Sequence, residues 1–132
     1  MQAMIIGIGT DIVQIYRIER LLTKYDAVFK ARILSISELN LMSKLSQNKH
    51  AAFIAKRFAA KEAVSKAIGS GIGVLLQFKN IIISNDAYGK PLAQIELLQN
   101  PNLLSQYKFK IDISISDDYP IAVAFAIVST YN

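Results

Sequence analysis

The stretch RFAAKEAVSKAIGSGIG, residues 57–73, decides the fold, because a helix-forming half is followed by a half rich in glycine. Four alanines between residues 59 and 67, with no helix breaker among them, predict the helix. Glu62 and Lys66 are four residues apart, so they lie one turn apart on one face. At this point they form either an ordinary surface ion pair above a glycine C-cap or part of a site that other segments complete.

The predicted helix extends back to His50 and ends at Gly69. Its alanines at 52, 55, 59 and 63 form a small-residue face for close packing. The glycine-rich segment after it, residues 69–73, offers backbone N–H groups that suit contact with a phosphate or pyrophosphate. No Gly-Lys-Ser/Thr opens a helix after it, which excludes a Walker loop. It also follows a helix rather than a strand, which excludes a dinucleotide-binding fingerprint.

The part of the chain before the central helix is predicted to begin with a strand, which a helix follows. Residues 4–8 predict a short buried strand, and residues 9–11 predict the turn that leaves it. Asp11 would then stand at a strand end, either as a turn or N-cap aspartate or as a side chain that faces a cleft.

An amphipathic helix is predicted from Ile15 onwards by apolar residues at helical spacing. Its polar face carries a basic stripe that is either solvated or a contact for an acidic partner helix. The stripe consists of Arg17, Arg20 and Lys24. A short helical segment follows over residues 27–34, and Ser35 with Glu38 has the spacing of a capping box that opens the next helix.

The second half of the chain is predicted to be mainly strands. Its predicted elements are a hairpin with strands at 81–83 and 92–97, a short helix at 100–106, an alternating strand at 109–116, a turn at 117–120 and a final strand at 121–128. The final strand is apolar on both faces, which predicts that one face covers the helices and the other meets another subunit. The architecture expected is α+β: an N-terminal strand, a helical block with one long central helix, then a mainly antiparallel sheet, in a single domain over residues 1–132.

Composition narrows the function classes. The 132 residues include no cysteine, which excludes disulfides, thiol nucleophiles and zinc–thiolate sites and suggests a reducing compartment such as the cytoplasm. No apolar run approaches the ~20 residues of a membrane span. The net charge of +5 favours phosphates or an acidic partner, but the basic residues are scattered, so nucleic acid is not specifically indicated. With His50 the only histidine, carboxylates, lysines and a hard metal are the expected chemical tools.

Asp11 and Glu62 together suggest a metal site. Two carboxylates, one on a strand and one on a helix, suit Mg²⁺, which keeps several waters and takes further ligands from phosphate. Lys66 and the glycine-rich segment 69–73 would face the same phosphates. This is a constellation for phosphoryl transfer, in which a metal, a lysine and backbone donors surround a developing charge.

Three motifs resemble signatures of one family: GIGTDIV at 7–13, RFAAKEA at 57–63 and GSGI at 69–72. On these, and on further similarity over nearly the whole chain, the sequence is similar to the holo-acyl-carrier-protein synthases of the 4′-phosphopantetheinyl transferase superfamily. The resemblance implies transfer of the phosphopantetheine arm of coenzyme A to a serine of acyl carrier protein, with release of adenosine 3′,5′-bisphosphate, in support of fatty acid biosynthesis.

The resemblance also implies roles for individual residues. Mg²⁺ would be held by Asp11, Glu62 and the pyrophosphate, Glu62 would activate the serine directly or through a metal-bound water, and Lys66 would contact the phosphates. The implied coenzyme A contacts are Lys49, Arg57, Lys66, Gly69, Ser70, Gly71, Ser114 and Ser116. The basic stripe would meet acyl carrier protein, and the family implies a homotrimer with active sites at subunit interfaces.

One position departs from the family pattern, since Asp112 stands where histidine is usual, and a carboxylate there would repel phosphate. Two other function classes remain as alternatives: a non-enzymatic basic module that binds nucleic acid or an acidic protein, and an inactive relative that keeps the trimer. The aromatic residues follow apolar patterns rather than a stacking strip, which speaks against the first. The presence of Asp11, Glu62 and Lys66 speaks against the second.

Overall fold

A strand, three helices and four more strands follow one another in the part of the chain that the structure describes. This structure is a computed structural model, and it describes residues 2–69, 76–96 and 109–131. Its strands and α-helices are β1 (Ala3–Gln14), α1 (Ile15–Ile33), α2 (Ile36–Ser43), α3 (His50–Ile68), β2 (Ile81–Asn85), β3 (Pro91–Ile95), β4 (Phe109–Asp118) and β5 (Ile121–Tyr131). Short 3₁₀ turns precede α3 and β2. The predicted α+β class and element order are confirmed.

The strands of the described residues form two antiparallel sheets, one with the order β1-β5-β4 and one made of the β2–β3 hairpin. The turn predicted at residues 9–11 is wrong, because β1 continues to Gln14. Asp11 pairs with Ala124 and Gln14 with Ile121, so hydrogen bonding to β5 outweighs the local turn preference of the Gly-Thr-Asp sequence. Asp11 therefore lies within a strand rather than at its end.

Helix α3 packs directly on β1, where glycine permits an unusually close approach. A Cβ atom added at Gly9 would overlap the carbonyl oxygen of Ala63, and one added at Gly7 would overlap that of Ala67. The predicted small-residue face of α3 is the surface that makes this approach, and three of its four alanines, at 55, 59 and 63, are fully buried. The docking of α3 on the sheet is therefore set by small residues on both sides.

The two faces of the three-stranded sheet differ in burial. The helix side of β5 is buried at Ala122, Ala124, Ala126 and Val128, as predicted. The outer side is apolar and open in the single chain: Ile8 is 63% and Ile12 67% exposed. The strand predicted at residues 4–8 is confirmed as part of β1, but the prediction that it is buried is wrong for the single chain. Met4, Ile5, Ile6 and Ile8 are all exposed, because α3 contacts β1 at Gly7 and Gly9.

Most remaining predictions are confirmed with small shifts. Helix α3 ends at Gly69, which has a left-handed φ of 87°, and the Ser35–Glu38 capping box is present. Helix α1 spans both predicted segments, with a non-helical residue at Asp26. Strand β4 runs to Asp118, so the predicted turn begins later. The short helix predicted at residues 100–106 lies outside the described residues. Within the described part of the chain, no helix is long and apolar enough to cross a membrane.

Candidate functional site

The structure brings Asp11 and Lys66 into contact across 55 residues of sequence. The ammonium of Lys66 donates to Asp11 Oδ1 at 3.1 Å and to the carbonyl oxygen of Thr10 at 3.0 Å. Asp11 can face this helix because its cross-strand partner, Ala124, is buried on the helix side of the sheet. The predicted association of β1 with the charged face of α3 is therefore present.

Glu62 belongs to the same group of charges. Partial burial raises the pKa of Glu62 above its ordinary value, the negative charge of Asp11 raises it further, and the positive charge of Lys66 opposes both effects. Two carboxylates that repel each other in a partly desolvated place are a donor set that a divalent cation stabilises.

Two protein carboxylates are a ligand set that is compatible with Mg²⁺. The described residues contain no group of three or more His, Asp or Glu side chains that could form a larger protein cage for a metal. Mg²⁺ binds through one or two carboxylates and takes its remaining ligands from water and substrate phosphate. Asp11 and Glu62 therefore fit the metal that their sequence context predicts.

Mg²⁺ should stabilise the protein in a pH-dependent manner. Between the ordinary pKa of 4.5 and the raised pKa of Glu62, the folded protein binds more protons than the unfolded one, so its stability falls as pH rises through that window. Mg²⁺ binds the deprotonated pair and offsets this loss. At ten times the dissociation constant it should add about 1.4 kcal/mol, or about 3–6 °C in Tm.

Differential scanning fluorimetry with and without Mg²⁺ across this pH range measures the effect. Glu62→Gln should lose the Mg²⁺-dependent increase in Tm, whereas Glu96→Gln, an exposed carboxyl elsewhere, should keep it. An equal increase in Tm for wild type and Glu62→Gln would contradict the assignment.

A buried ionic cluster lies on the neighbouring face of α3, and the sequence did not predict that its members meet. Glu38 and Lys61 are both fully buried, and Lys61 Nζ lies 2.6 Å from Glu38 Oε1. Arg57 Nε lies 3.6 Å from Glu38 Oε2, and its guanidinium covers the ring of Phe53 at 3.9 Å. Burial lowers the pKa of Lys61 and of Arg57, and the negative charge of Glu38 opposes this. The signal in the sequence is that Arg57 and Lys61, two charged residues four apart, lie among alanines on one face of the helix.

Arg57 and Lys49, two basic residues that were predicted to contact coenzyme A, lie away from Glu62. The side chain of Arg57 is only 8% exposed and faces Glu38, so the structure places it in the buried cluster. Lys49 is exposed just before α3, and 13 residues at 1.5 Å each put it about 20 Å along the helix from Glu62. Contact of either residue with coenzyme A stays a prediction.

Ser114 and Ser116, the coenzyme A contacts predicted on β4, lie on the opposite face of the sheet from Asp11. Ser114 pairs with Phe125, which is 41% exposed on the outer side, and Ser116 is likewise exposed. One chain therefore does not bring Ser114 or Ser116 to Glu62. Gly69 lies at the end of α3, while Ser70 and Gly71 lie outside the described residues.

The predicted basic stripe is displayed on the surface of α1. Its three side chains are all exposed, and Lys24 Nζ lies 5.2 Å from the ring centroid of Tyr25. The start of α1 is joined to the β4–β5 turn by a 2.7 Å hydrogen bond from Ile15 N to Pro120 O. The stripe is therefore presented near one end of the three-stranded sheet.

Comparison with known proteins gives consistent matches over most of the chain. The 4′-phosphopantetheinyl transferase superfamily matches residues 7–124. A holo-[acyl-carrier-protein] synthase of Orientia tsutsugamushi is 48% identical over 130 residues, covering 96% of this chain and 98% of that protein. The crystal structure of a holo-(acyl-carrier-protein) synthase from Bacillus anthracis in complex with CoA (3′,5′-ADP) has a TM-score of 0.82 and 38% identity, covering 97% of this chain and 99% of that one. The Helicobacter pylori synthase in complex with coenzyme A has a TM-score of 0.77 and 36% identity, covering 92% and 98%.

Proposed function

The chain belongs to the 4′-phosphopantetheinyl transferase superfamily, and on that premise we propose that it is an Mg²⁺-dependent holo-acyl-carrier-protein synthase. The serine hydroxyl of apo acyl carrier protein attacks the phosphorus that carries the pantetheine arm of coenzyme A. A new serine–phosphate ester forms, the pyrophosphate P–O bond breaks, and adenosine 3′,5′-bisphosphate leaves. This activity would serve fatty acid biosynthesis in the cytoplasm.

The observation that carries the proposal is the meeting of Asp11, Glu62 and Lys66. Lys66 Nζ lies 3.1 Å from Asp11, and the charge of Asp11 contributes to the raised pKa of Glu62. Two acidic groups and a lysine that interact electrostatically can bind a cation together with the phosphates it accompanies. An inactive relative would have no need to keep all three charges together.

The side chains divide the work of the reaction. Mg²⁺, when bound between Asp11 and Glu62, would supply positive charge that stabilises the pyrophosphate as it is cleaved. The side chain of Lys66 is 53% exposed, so its ammonium is free to turn from Asp11 toward the phosphates and to offset the negative charge of the departing nucleotide. Glu62, whose pKa is raised, accepts the proton of the serine hydroxyl either directly or through water.

A second copy of the chain would complete the site. Ser114 and Ser116 lie on the outer face of the sheet, so they can contact coenzyme A bound at the Asp11–Glu62 site only when they belong to a neighbouring copy. The same outer face carries exposed apolar side chains, Ile8, Ile12, Val123 and Phe125. Exposed apolar patches of this kind mark interfaces. This supports active sites at subunit interfaces, in the homotrimer that the family resemblance implies.

Charge reversal on the basic stripe should weaken recognition of acyl carrier protein. Arg17→Glu combined with Arg20→Glu should lower kcat/KM for the carrier by about tenfold or more, mainly through KM, because complementary charge steers an acidic partner. Steady-state kinetics at low and high salt measure the effect, which should shrink as salt screens the wild-type attraction. Lys44→Glu with Lys90→Glu changes the net charge equally at other exposed positions and should have little effect. Equal losses in both pairs would contradict a local contact.

Replacing Asp112 with His should leave activity similar or improve it. The Asp112 side chain is 46% exposed and 3.7 Å from Lys110, so it is not required by the core. Histidine would remove a charge that repels phosphate and add a donor. KM for coenzyme A is the relevant measurement, and a loss of tenfold or more would show that Asp112 has a positive role in the site.

Intact mass spectrometry of acyl carrier protein tests the proposed function. The protein is mixed with coenzyme A, Mg²⁺ and apo carrier, and the carrier should gain the mass of one phosphopantetheine group. Omission of Mg²⁺ and a carrier whose modified serine is replaced by alanine are the controls. No gain with a cognate carrier would overturn the proposal, and a basic binding module would then be the better description.

A further inference from the structure

The buried Glu38–Lys61 pair connects four elements beside the proposed metal site. Lys61 Nζ donates to Glu38 Oε1 at 2.6 Å and to the carbonyl oxygen of Ile33 at 2.7 Å. Glu38 also accepts from the backbone N–H groups of Ser35 at 2.8 Å and Ile83 at 3.0 Å. The end of α1, the start of α2, strand β2 and the middle of α3 are therefore joined through this one pair.

We propose that Glu38 and Lys61 are positioning residues that set the rotation of α3 about its axis, so that Glu62 faces Asp11. The proposal rests on the proposed function, because it assigns the pair a role in that same reaction. Neither residue touches the reacting groups, and they act through the helix that carries Glu62 and Lys66.

The geometry of α3 explains why its rotation needs control. One side of the helix contacts β1 through glycines and alanines, which provide shape but no hydrogen bonds. Lys66 adds hydrogen bonds to Thr10 and Asp11, but its side chain is half exposed and is proposed to turn toward the phosphates, so it does not fix the helix. Lys61 is the residue next to Glu62 and is held on the other side by two short hydrogen bonds. A side-chain tip lies about 5–6 Å from a helix axis, so a rotation of ~10° moves it by roughly 1 Å. Binding groups need to be placed within about 0.5 Å.

Stability alone does not account for a buried ionic pair at this place. The free energy needed to remove two charges from water offsets much of their mutual attraction, and apolar residues of the same size are often equally stabilising. What an apolar pair cannot supply is direction, because carboxylate and ammonium hydrogen bonds act along defined lines. A pair that is dispensable for stability but directional is suited to fixing an angle.

The double variant Glu38→Gln/Lys61→Met separates positioning from stability. Both side chains keep their approximate size, and one negative and one positive charge are removed together, so the net charge of the cluster with Arg57 is unchanged. The single carbonyl oxygen of glutamine can replace only one of the two carboxylate oxygens that accept from the backbone of Ser35 and Ile83. We expect its Tm to fall by about 10 °C or less, because one backbone hydrogen bond is lost. We expect kcat to fall at least tenfold and the Mg²⁺ concentration for half-maximal thermal stabilisation to rise at least tenfold, with KM for acyl carrier protein unchanged.

Val64→Ala is the matched control, because Val64 is fully buried in α3 and has no part in the cluster. It should lower Tm while leaving kcat and the Mg²⁺ dependence near wild type. Lys61→Arg is a second test that keeps the charge. Its larger planar head cannot sit between Ile33 O and Glu38 as the ammonium does, so kcat and Mg²⁺ affinity should fall in the same direction by a smaller factor.

The outcomes distinguish this inference from the proposed function. Wild-type protein that transfers no phosphopantetheine overturns both. Active wild type with a double variant of unchanged kcat and Mg²⁺ affinity overturns the positioning role alone. If the double variant fails to fold, Lys61→Arg is the deciding test. A folded Lys61→Arg with the kcat and Mg²⁺ affinity of wild type overturns the inference. A lower kcat and a lower Mg²⁺ affinity, at a Tm no lower than that of Val64→Ala, support it.

Discussion

Replacing Glu62 with Gln should lower kcat for phosphopantetheine transfer by about 10²–10⁴-fold while the fold stays intact. Glutamine has nearly the same size, but it has no negative charge for Mg²⁺ and does not accept a proton from the serine hydroxyl. Asp11→Asn should also remove most of the activity, because the metal would lose its other carboxylate.

The effect of Glu62→Gln on stability should be opposite to its effect on rate. Burial and the charge of Asp11 both disfavour the ionised form of Glu62, so a neutral side chain should keep or raise the Tm at neutral pH without Mg²⁺. Single-turnover kinetics with saturating coenzyme A and thermal unfolding measure the two effects. Glu96→Gln should change neither, and near-wild-type turnover in both Glu62→Gln and Asp11→Asn would refute the metal assignment.

Replacing Gly9 with Ala should destabilise the protein by about 3 kcal/mol or more, enough to lower Tm by about 10 °C or prevent folding. The new methyl group would overlap the backbone carbonyl of Ala63, and neither a strand nor a helix backbone can move aside as a side chain can. Because Ala63 is next to Glu62, any accommodation would also move the proposed metal ligand.

Gly89→Ala is the control for Gly9→Ala. Gly89 has a φ of 85°, but a Cβ atom there would meet nothing within 4 Å. Only the left-handed backbone conformation is then penalised, by about 1 kcal/mol. Chemical denaturation of both variants measures the difference, and similar losses would show that α3 does not press on β1 as the structure has it.

The features that the sequence predicted correctly are those that depend on residues close to one another in the chain. The bounds of α3 follow from an alanine-rich run and a glycine C-cap, and the Ser35–Glu38 capping box follows from its spacing. The alternation of β4 was also predicted, since a half-buried strand has a period of two. The course of β1 was not, because the Gly-Thr-Asp segment has turn chemistry locally and is a strand only through its pairing with β5.

The chemistry proposed for the site was predicted from residue types, since Asp11 and Glu62 are carboxylates that suit magnesium and Lys66 suits phosphate. Their mutual geometry was not, because it depends on how α3 docks on the sheet. The sequence also did not predict the ion pair of Glu38 with Lys61, 23 residues away, or the face of the sheet on which Ser114 lies. Helix caps and periodicities are short-range and visible in spacing. Contacts between segments arise from packing, in which two glycines of β1 and the alanines of α3 set the distance and angle at which charges meet.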